Sequence, residues 1–328
     1  MFKIGIVGAG YIGKLHANVY SQMKDVSVVA VCDSNIESAE KLALSFSAKA
    51  CCGLYEMMNY EIDILDVCLP THFHRQAVEM AIMNGISVLC EKPMALSLED
   101  ATAMEQLAAR RGIPLMVGQC LRFDRNYGIL KYCIDSGLYG SLRMLKLFRN
   151  TPIPSWSNNA WLLNKELSGG IITDLHIHDT DFISWALGEP TWVFTNGNDY
   201  QVISTYGFSK TIAWAEASWR QIGGFTFEAG YDAEFEDAVL RFDGLNIMII
   251  DRIGKVDSPN PYTFELDYEI YRSDNSYENE IAYFLQCLTR GIPFRLCTAS
   301  SSVMSLQIVL SERTSMETNE KVFVKKNI

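Results

Sequence analysis

The sequence has no apolar run approaching the roughly 20 residues of a bilayer-spanning helix, and no charged leader followed by an apolar core precedes its first strand. These absences exclude a single long membrane helix and make the cytoplasm the expected location. Basic residues are scarce, 28 Lys and Arg against 39 Asp and Glu, for a formal net charge of −11. With no basic stripe to neutralise phosphates, nucleic acid is not an expected partner. The nine cysteines form no C-x-x-C pair, and several lie inside apolar strand-like runs. They are expected to be reduced core residues; Cys51-Cys52 has no companion Cys or His at metal spacing nearby. No repeat and no low-complexity linker interrupts the chain.

What is present is material for two cores. The chain has 328 residues, 48% apolar and 20% charged, too long for one ordinary α/β domain and globular in composition. Up to about residue 118, apolar runs alternate with helical patterns: strands at 2–7, 26–32, 62–69, 86–90 and 114–118, and helices at 11–23, 36–46, 72–84 and 98–111. This rhythm predicts a parallel, doubly wound sheet. Ser97 with Asp100 is read as the start of the last helix and Gly112 as its end. Beyond about 120 the strands lengthen and alternate, at 141–149, 191–196, 201–206, 211–219, 225–230, 237–242, 247–252 and 264–270. Helices are expected at 121–136, 173–187, 276–290 and 298–316. The expectation is therefore an α/β N-terminal domain over residues 1–120, followed by an α+β C-terminal domain over 121–328. The second domain's sheet is largely antiparallel and open, and a closing helix and strand lie near 298–324.

Gly8-Ala9-Gly10-Tyr11-Ile12-Gly13 follows the first strand and opens a helix. In that context Gly8 permits the tight turn, Gly10 lets backbone approach a pyrophosphate at the helix N-terminus, and Gly13 allows close helix packing. A second strand ends at Asp33, where a carboxylate reaches the adenosine ribose of a dinucleotide. The pattern is a Rossmann fingerprint. Residues Ser34-Asn35-Ile36 offer no cation for a 2′-phosphate, so NAD is expected over NADP.

Several further motifs stand in order: Cys68-Leu69-Pro70-Thr71-His72-Phe73-His74, Glu91-Lys92-Pro93, Gly118-Gln119 with Arg122, and Ser168-Gly169-Gly170 leading to Asp174-Leu175-His176-Ile177-His178-Asp179. With the opening glycines and His16, the sequence resembles the glucose-fructose oxidoreductase, inositol dehydrogenase and rhizopine catabolism family, written Gfo/Idh/MocA. The resemblance runs the full length. It implies a cofactor site built from Gly8, Gly10, Tyr11, Ile12, Gly13, Asp33, Leu69, Pro70, Thr71, His74, Glu91, Lys92 and Gln119. It also implies a catalytic set of Lys92, Asp174 and His178, and oxidation of a secondary hydroxyl on a sugar, polyol or inositol-like substrate.

Residue chemistry agrees with that implication. Pro70 and Lys92 each sit just past a strand's carboxyl end, where open α/β sheets bind ligands. Asp174 and His178 are four apart, on one face of the expected helix. Alcohol oxidation needs a base, a group that stabilises alkoxide charge and a hydride acceptor. His178, oriented by Asp174, and Lys92 fill the first two roles, with the choice of immediate base between Lys92 and His178 left open. Arg122, Asn158 and Asn159 are expected partners of substrate hydroxyls or carbonyl oxygens, Trp156 and Trp161 are either a sugar platform or interior residues, and His176, which stands where many relatives carry Gly, is a further candidate to face the substrate. His16 and His72 are read as packing or surface residues. A metal site is not expected, because His176 and His178 face different sides of a helix and H-E-x-x-H is absent. Two alternatives remain: an NAD-using lyase or glycosidase-like enzyme with transient oxidation, and a non-catalytic NAD-binding regulator. The alternating strands of the second half suggest a homodimer or homotetramer through sheet faces.

Overall fold

Apolar strands buried on both faces favour a parallel sheet covered by helices, and residues 2–118 meet that condition. A computed structural model describes residues 1–325 apart from Trp156, Gln221 and Gly223, with the backbone but not the side chains of Asn158 and Asn159. The first sheet comprises β1 (Phe2–Val7), β2 (Val26–Cys32), β3 (Lys49–Cys51), β4 (Ile64–Val67), β5 (Ser87–Glu91) and β6 (Leu115–Gly118). All pairs are parallel, in the order β3-β2-β1-β4-β5-β6. The winding reverses between β1 and β4, which places the ligand crevice of such sheets at their carboxyl ends.

The connecting helices are α1 (Tyr11–Ser21), α2 (Ile36–Leu44), α3 (Leu54–Met57), α4 (His74–Met83) and α5 (Leu98–Arg111). Their ends follow the side-chain chemistry. Asn35 accepts from the Glu37 and Ser38 N–H groups to start α2, and Ser97 accepts from Asp100 to start α5. Gly112, at φ +64°, ends α5 in the left-handed conformation. Strand β3 and helix α3 were not expected, since three or four residues are too few to show a period.

The second sheet comprises β7 (Leu142–Pro152), β8 (Trp192–Gly197), β9 (Gln201–Gly207), β10 (Ile212–Arg220), β11 (Glu228–Phe235), β12 (Ala238–Phe242), β13 (Ile247–Asp251), β14 (Val256–Asp257) and β15 (Val322–Phe323). Its order is β14-β13-β12-β11-β7-β10-β9-β8-β15, antiparallel except for the β7/β10 pair. The helices of the second half are α6 (Arg125–Ser136), α7 (Lys165–Ser168), α8 (Gly170–Asp174), α9 (Ile177–Leu187), α10 (Ser276–Arg290) and α11 (Ala299–Thr318). One sheet face supplies Leu145, Leu147, Ala213, Ala215, Tyr231 and Ala233 to a core with Tyr127, Ile129 and Leu130 of α6 and Phe182 and Ile183 of α9. The other face leaves Phe194, Ile203 and Ile212 exposed.

Three expectations are corrected. Residues 264–270 form turns instead of a strand: Asp267 accepts from the Glu269 N–H through its side chain and from Ile270 and Tyr271 through its carbonyl. Phe264 and Leu266 pack against the core from this irregular segment, so their alternation needs no ladder. The helix expected over 173–187 is two helices, α8 and α9, broken at Leu175-His176. The domain division is also not a single cut. One compact unit contains residues 1–119 and 277–303, and the other contains 120–276 and 304–328. Helix α10 brings Ile281, Phe284 and Cys287, all buried, to the first unit. Seven of the nine cysteines are buried and all are free thiols. Among the described residues no helix is long and apolar enough to cross a membrane.

Phe182 is fully buried and meets Tyr127 and Trp185 edge-on, with ring centroids 5.1 and 5.7 Å away. Phe182→Ala should cost about 3–5 kcal/mol, read by urea unfolding of the second unit. A loss below about 1 kcal/mol would contradict this core assignment.

Candidate functional site

The turn after β1 is held by contacts that allow no side chain. Gly8 has φ +101°, and a Cβ there would lie 2.4 Å from the Cys68 carbonyl oxygen; a Cβ on Gly13 would lie 1.8 Å from that of Gly8. Gly10 differs, because its Cβ would meet nothing within 4 Å. The space in front of Gly10 is open, and α1 starts there with no side-chain cap. Its first N–H groups and the positive end of its dipole suit an anion such as a pyrophosphate. Asp33 braces the same turn: Oδ2 accepts from the Ala9 N–H at 2.8 Å and Oδ1 from the Asn35 N–H at 2.9 Å. The carboxylate is thereby fixed at the end of β2, with lone pairs left for ribose hydroxyls. These features fit a dinucleotide.

The loop after β4 carries Leu69 and Pro70, partly exposed, and Thr71, buried. His74 does not face outward. Its Nε2 lies 2.8 Å from the Leu69 carbonyl oxygen and its Nδ1 3.0 Å from that of Pro93. Burial lowers its basicity, while the two carbonyls work the other way. His74 thus ties the β4 loop to the segment after β5, with both ring nitrogens facing carbonyl oxygens. Glu91, the last residue of β5, also turns inward; one carboxylate oxygen accepts from the Lys92 N–H at 3.1 Å, and the other lies 3.3 Å from His16 Nε2. Lys92 follows directly, with its bond to Pro93 in the cis form. Gln119 is buried, and neither of its side-chain amide atoms has a hydrogen-bond partner among the described residues.

In the second unit, Asp174 ends α8 and His178 is the second residue of α9. The break between them arises because the His176 N–H bonds back to the Ile171 carbonyl and the His178 N–H to that of Leu175. The four-residue spacing still gives both side chains the same exposure. From Ser168 to Ile183 every residue is buried except Asp174 and His178. Cys120 Sγ lies 4.0 Å from His178 Nδ1.

Buried ion pairs and hydrogen bonds anchor this segment. Arg149 makes a two-pronged pair with Asp179, at 2.9 and 3.0 Å, and also donates to the Tyr127 hydroxyl. Arg122 makes the same kind of pair with Asp181, at 2.8 and 2.7 Å, and Ser305 donates to that carboxylate. Thr180 bonds Glu312. Burial pushes the Glu312 carboxyl up to about 8. His176 is fully buried, with Nε2 3.0 Å from Ser204 Oγ and 3.2 Å from the Tyr206 hydroxyl. Its imidazole is pushed down to about 3, first by burial and then by the Arg149 charge. Two sequence readings change here. Arg122 and His176, expected to face a substrate, are committed to interior bonds.

Trp161 is partly buried. Trp156 and the side chains of Asn158 and Asn159 lie outside the described residues. Sequence reasoning overlooked Arg149 and the acid cluster around His16. The signal for the latter was present, in that Asp66 interrupts the apolar strand Ile64-Leu65-Asp66-Val67.

Residues 2–119 match the model described as "Oxidoreductase family, NAD-binding Rossmann fold", and residues 128–236 match the GFO/IDH/MocA C-terminal domain. The D-glucoside 3-dehydrogenase of Escherichia coli is 31% identical over 209 residues, covering 62% of this chain and 59% of that one. The inositol 2-dehydrogenase of Rhizobium meliloti is 31% identical over 187 residues, 57% and 55% of the two chains. The matched region thus spans less than two thirds of these relatives' lengths. A solved structure of levoglucosan dehydrogenase with NADH and levoglucosan superposes with a TM-score of 0.86 at 16% identity, covering 99% of this chain and 100% of that one. At that identity the likeness is one of fold.

The open space at Gly10 gives a direct test of the cofactor cradle. Gly10→Ala should fold normally yet weaken NAD binding about tenfold or more, as read by calorimetry, because the new methyl stands where the pyrophosphate approaches. Unchanged affinity in a folded variant would put the cofactor elsewhere.

Proposed function

Because the chain belongs to the Gfo/Idh/MocA oxidoreductase family, with an NAD-binding Rossmann domain and the family's C-terminal domain, we propose that it transfers a hydride between a secondary hydroxyl of a sugar, polyol or inositol-like substrate and NAD. The observation that carries the reading is the exposure pattern of residues 168–183, where Asp174 and His178 alone leave the interior. The named activities of the D-glucoside and inositol dehydrogenases support the substrate class. No observation favours the lyase or regulator alternatives.

The proposed roles follow from the chemistry of the side chains. His178 takes the hydroxyl proton, Asp174 orients it, and Lys92 stabilises the alkoxide. NAD, when bound, accepts the hydride, and in the reverse direction its reduced form returns it. Asp33 favours NAD over NADP, because a carboxylate that suits ribose hydroxyls repels a 2′-phosphate. Of the expected substrate partners, Trp161 remains within this proposal, while Arg122 and His176 act through packing. The exposed apolar residues on the outer face of the second sheet support assembly of two or four copies through that face.

The roles separate chemistry from cofactor binding. Lys92→Ala and His178→Ala should each lower kcat about a hundredfold or more, with NAD affinity by calorimetry little changed. Near-normal turnover of an identified substrate by both variants would remove them from the chemistry. A collapse of NAD binding in Lys92→Ala would assign that lysine to the cofactor instead.

A further inference from the structure

The first unit holds a buried cluster of ionisable groups that the proposed chemistry does not use. His16 of α1, Glu91 of β5 and Glu280 of α10 bring ligand-type atoms within 4.8 Å of one another. Asp66 of β4 completes the group, its Oδ2 lying 2.9 Å from His16 Nδ1. Glu280 is fully buried, and among the described residues neither of its carboxylate oxygens has a hydrogen-bond partner. A Cβ on Gly118 would lie 3.1 Å from Glu91 Oε1 and 3.2 Å from Glu280 Oε1, so the two carboxyl groups converge beside a residue that leaves room for them.

Charge decides how the cluster is protonated. A His16 imidazolium can donate to Asp66 with one nitrogen and face Glu91, 3.3 Å away, with the other. One cation then serves two carboxylates. A third ionised carboxylate in the same interior would be uncompensated, and an unpaired buried charge is among the costliest arrangements a fold can contain. We propose that Glu280 is a positioning residue held as a neutral carboxylic acid, whose lack of charge keeps Glu91 seated between His16 and the backbone N–H of Lys92. Ionising Glu280 would repel Glu91 and disturb the residue that precedes Lys92.

The surroundings of Glu280 agree with this state. Burial raises its carboxyl well above the ordinary range, the Glu91 charge adds to the effect, His16 opposes it, and Asp66 adds further. Burial pulls the His16 imidazole down, but Asp66 and Cys68 outweigh it, and the net direction is upward. The titratable groups of the cluster are His16 and Tyr20 on α1, Asp66 on β4 with Cys68 just after it, and Glu91 on β5. Tyr277, on the same helix as Glu280, packs its ring 5.7 Å from that of His16.

Only the link to Lys92 rests on the proposed function; the protonation state is tested without it. An acid whose folded value is raised contributes stability that is fully present below its ordinary unfolded value and is lost as pH rises toward the folded one. Glu280→Gln removes that loss. Its Tm should match wild type near the ordinary glutamate range and exceed it by about 2 °C or more in mildly alkaline buffer. A Tm difference that does not grow with pH overturns the proposal. So does a stoichiometric metal ion in the purified wild type, measured by elemental analysis, together with a variant destabilised at every pH; those results would make the cluster a cation site. If the variant fails to fold, infrared spectroscopy of a Glu312→Gln protein, which removes the other buried carboxyl pushed up to about 8, should still show the carbonyl band of a protonated carboxylic acid at neutral pH, and absence of that band overturns the assignment. For the link to Lys92, Glu280→Leu should lower kcat about tenfold while Glu280→Gln restores it, both with unchanged NAD affinity. Equal kcat values for the two variants, with the Tm result intact, would confine Glu280 to a structural role.

Discussion

Charge removed from water has to be paired, and that constraint governs the arrangement of candidate chemistry in both units. In the second unit, Arg149 with Asp179 and Arg122 with Asp181 are two-pronged buried pairs that flank the segment carrying Asp174 and His178. Such pairs add little net stability over apolar packing, but they are geometrically demanding. Shifting α9 would strand two arginines and two aspartates at once. The segment is therefore held in one position, with Asp174 and His178 left partly exposed. In the first unit, His16 with Asp66 and Glu91 does the same for the end of β5, and Lys92 is the next residue along the chain.

Rigid support of this kind is what acid-base chemistry requires, since a proton is transferred only over a narrow range of distances. The cofactor turn achieves rigidity by different means. Sterics at Gly8 and Gly13 and the two backbone bonds to Asp33 fix a cradle whose open point is Gly10. Asp33 braces the turn, and the proposed NAD site gives it a second function, a carboxylate for the ribose. Its replacement would affect both, so a change of cofactor preference cannot be engineered at Asp33 alone. Asn35 is also constrained, because its side chain starts α2.

The parts of the fold that were legible in the sequence are those carried by local signals. The strand and helix rhythm of residues 2–118, the Ser97 and Gly112 ends of α5 and the glycine turn all follow from periodicity, capping and conformational freedom. What escaped depends on distant partners. The break between α8 and α9 follows from backbone bonds around a buried His176 whose contacts, Ser204 and Tyr206, lie far away in sequence. Arg122 looked like a substrate ligand because nothing local reveals its pairing with Asp181, 59 residues on. The return of residues 277–303 to the first unit was hidden for the same reason, since α10 reads as an ordinary amphipathic helix whichever core it joins. The alternation at 264–270 misled in the opposite direction, since Phe264 and Leu266 pack partly buried against the core without a ladder.

The central claim is that this protein oxidises a hydroxyl group at the expense of NAD. The most direct test is the absorbance of NADH formed when the purified protein and NAD are offered a panel of inositols, aldoses, 1,5-anhydro sugars and sugar acids. The account predicts stoichiometric NADH accumulation with at least one member of the panel. Substrate consumption without accumulating NADH would point to transient oxidation, and binding of NAD with no turnover of any member would contradict the account in favour of a non-catalytic role.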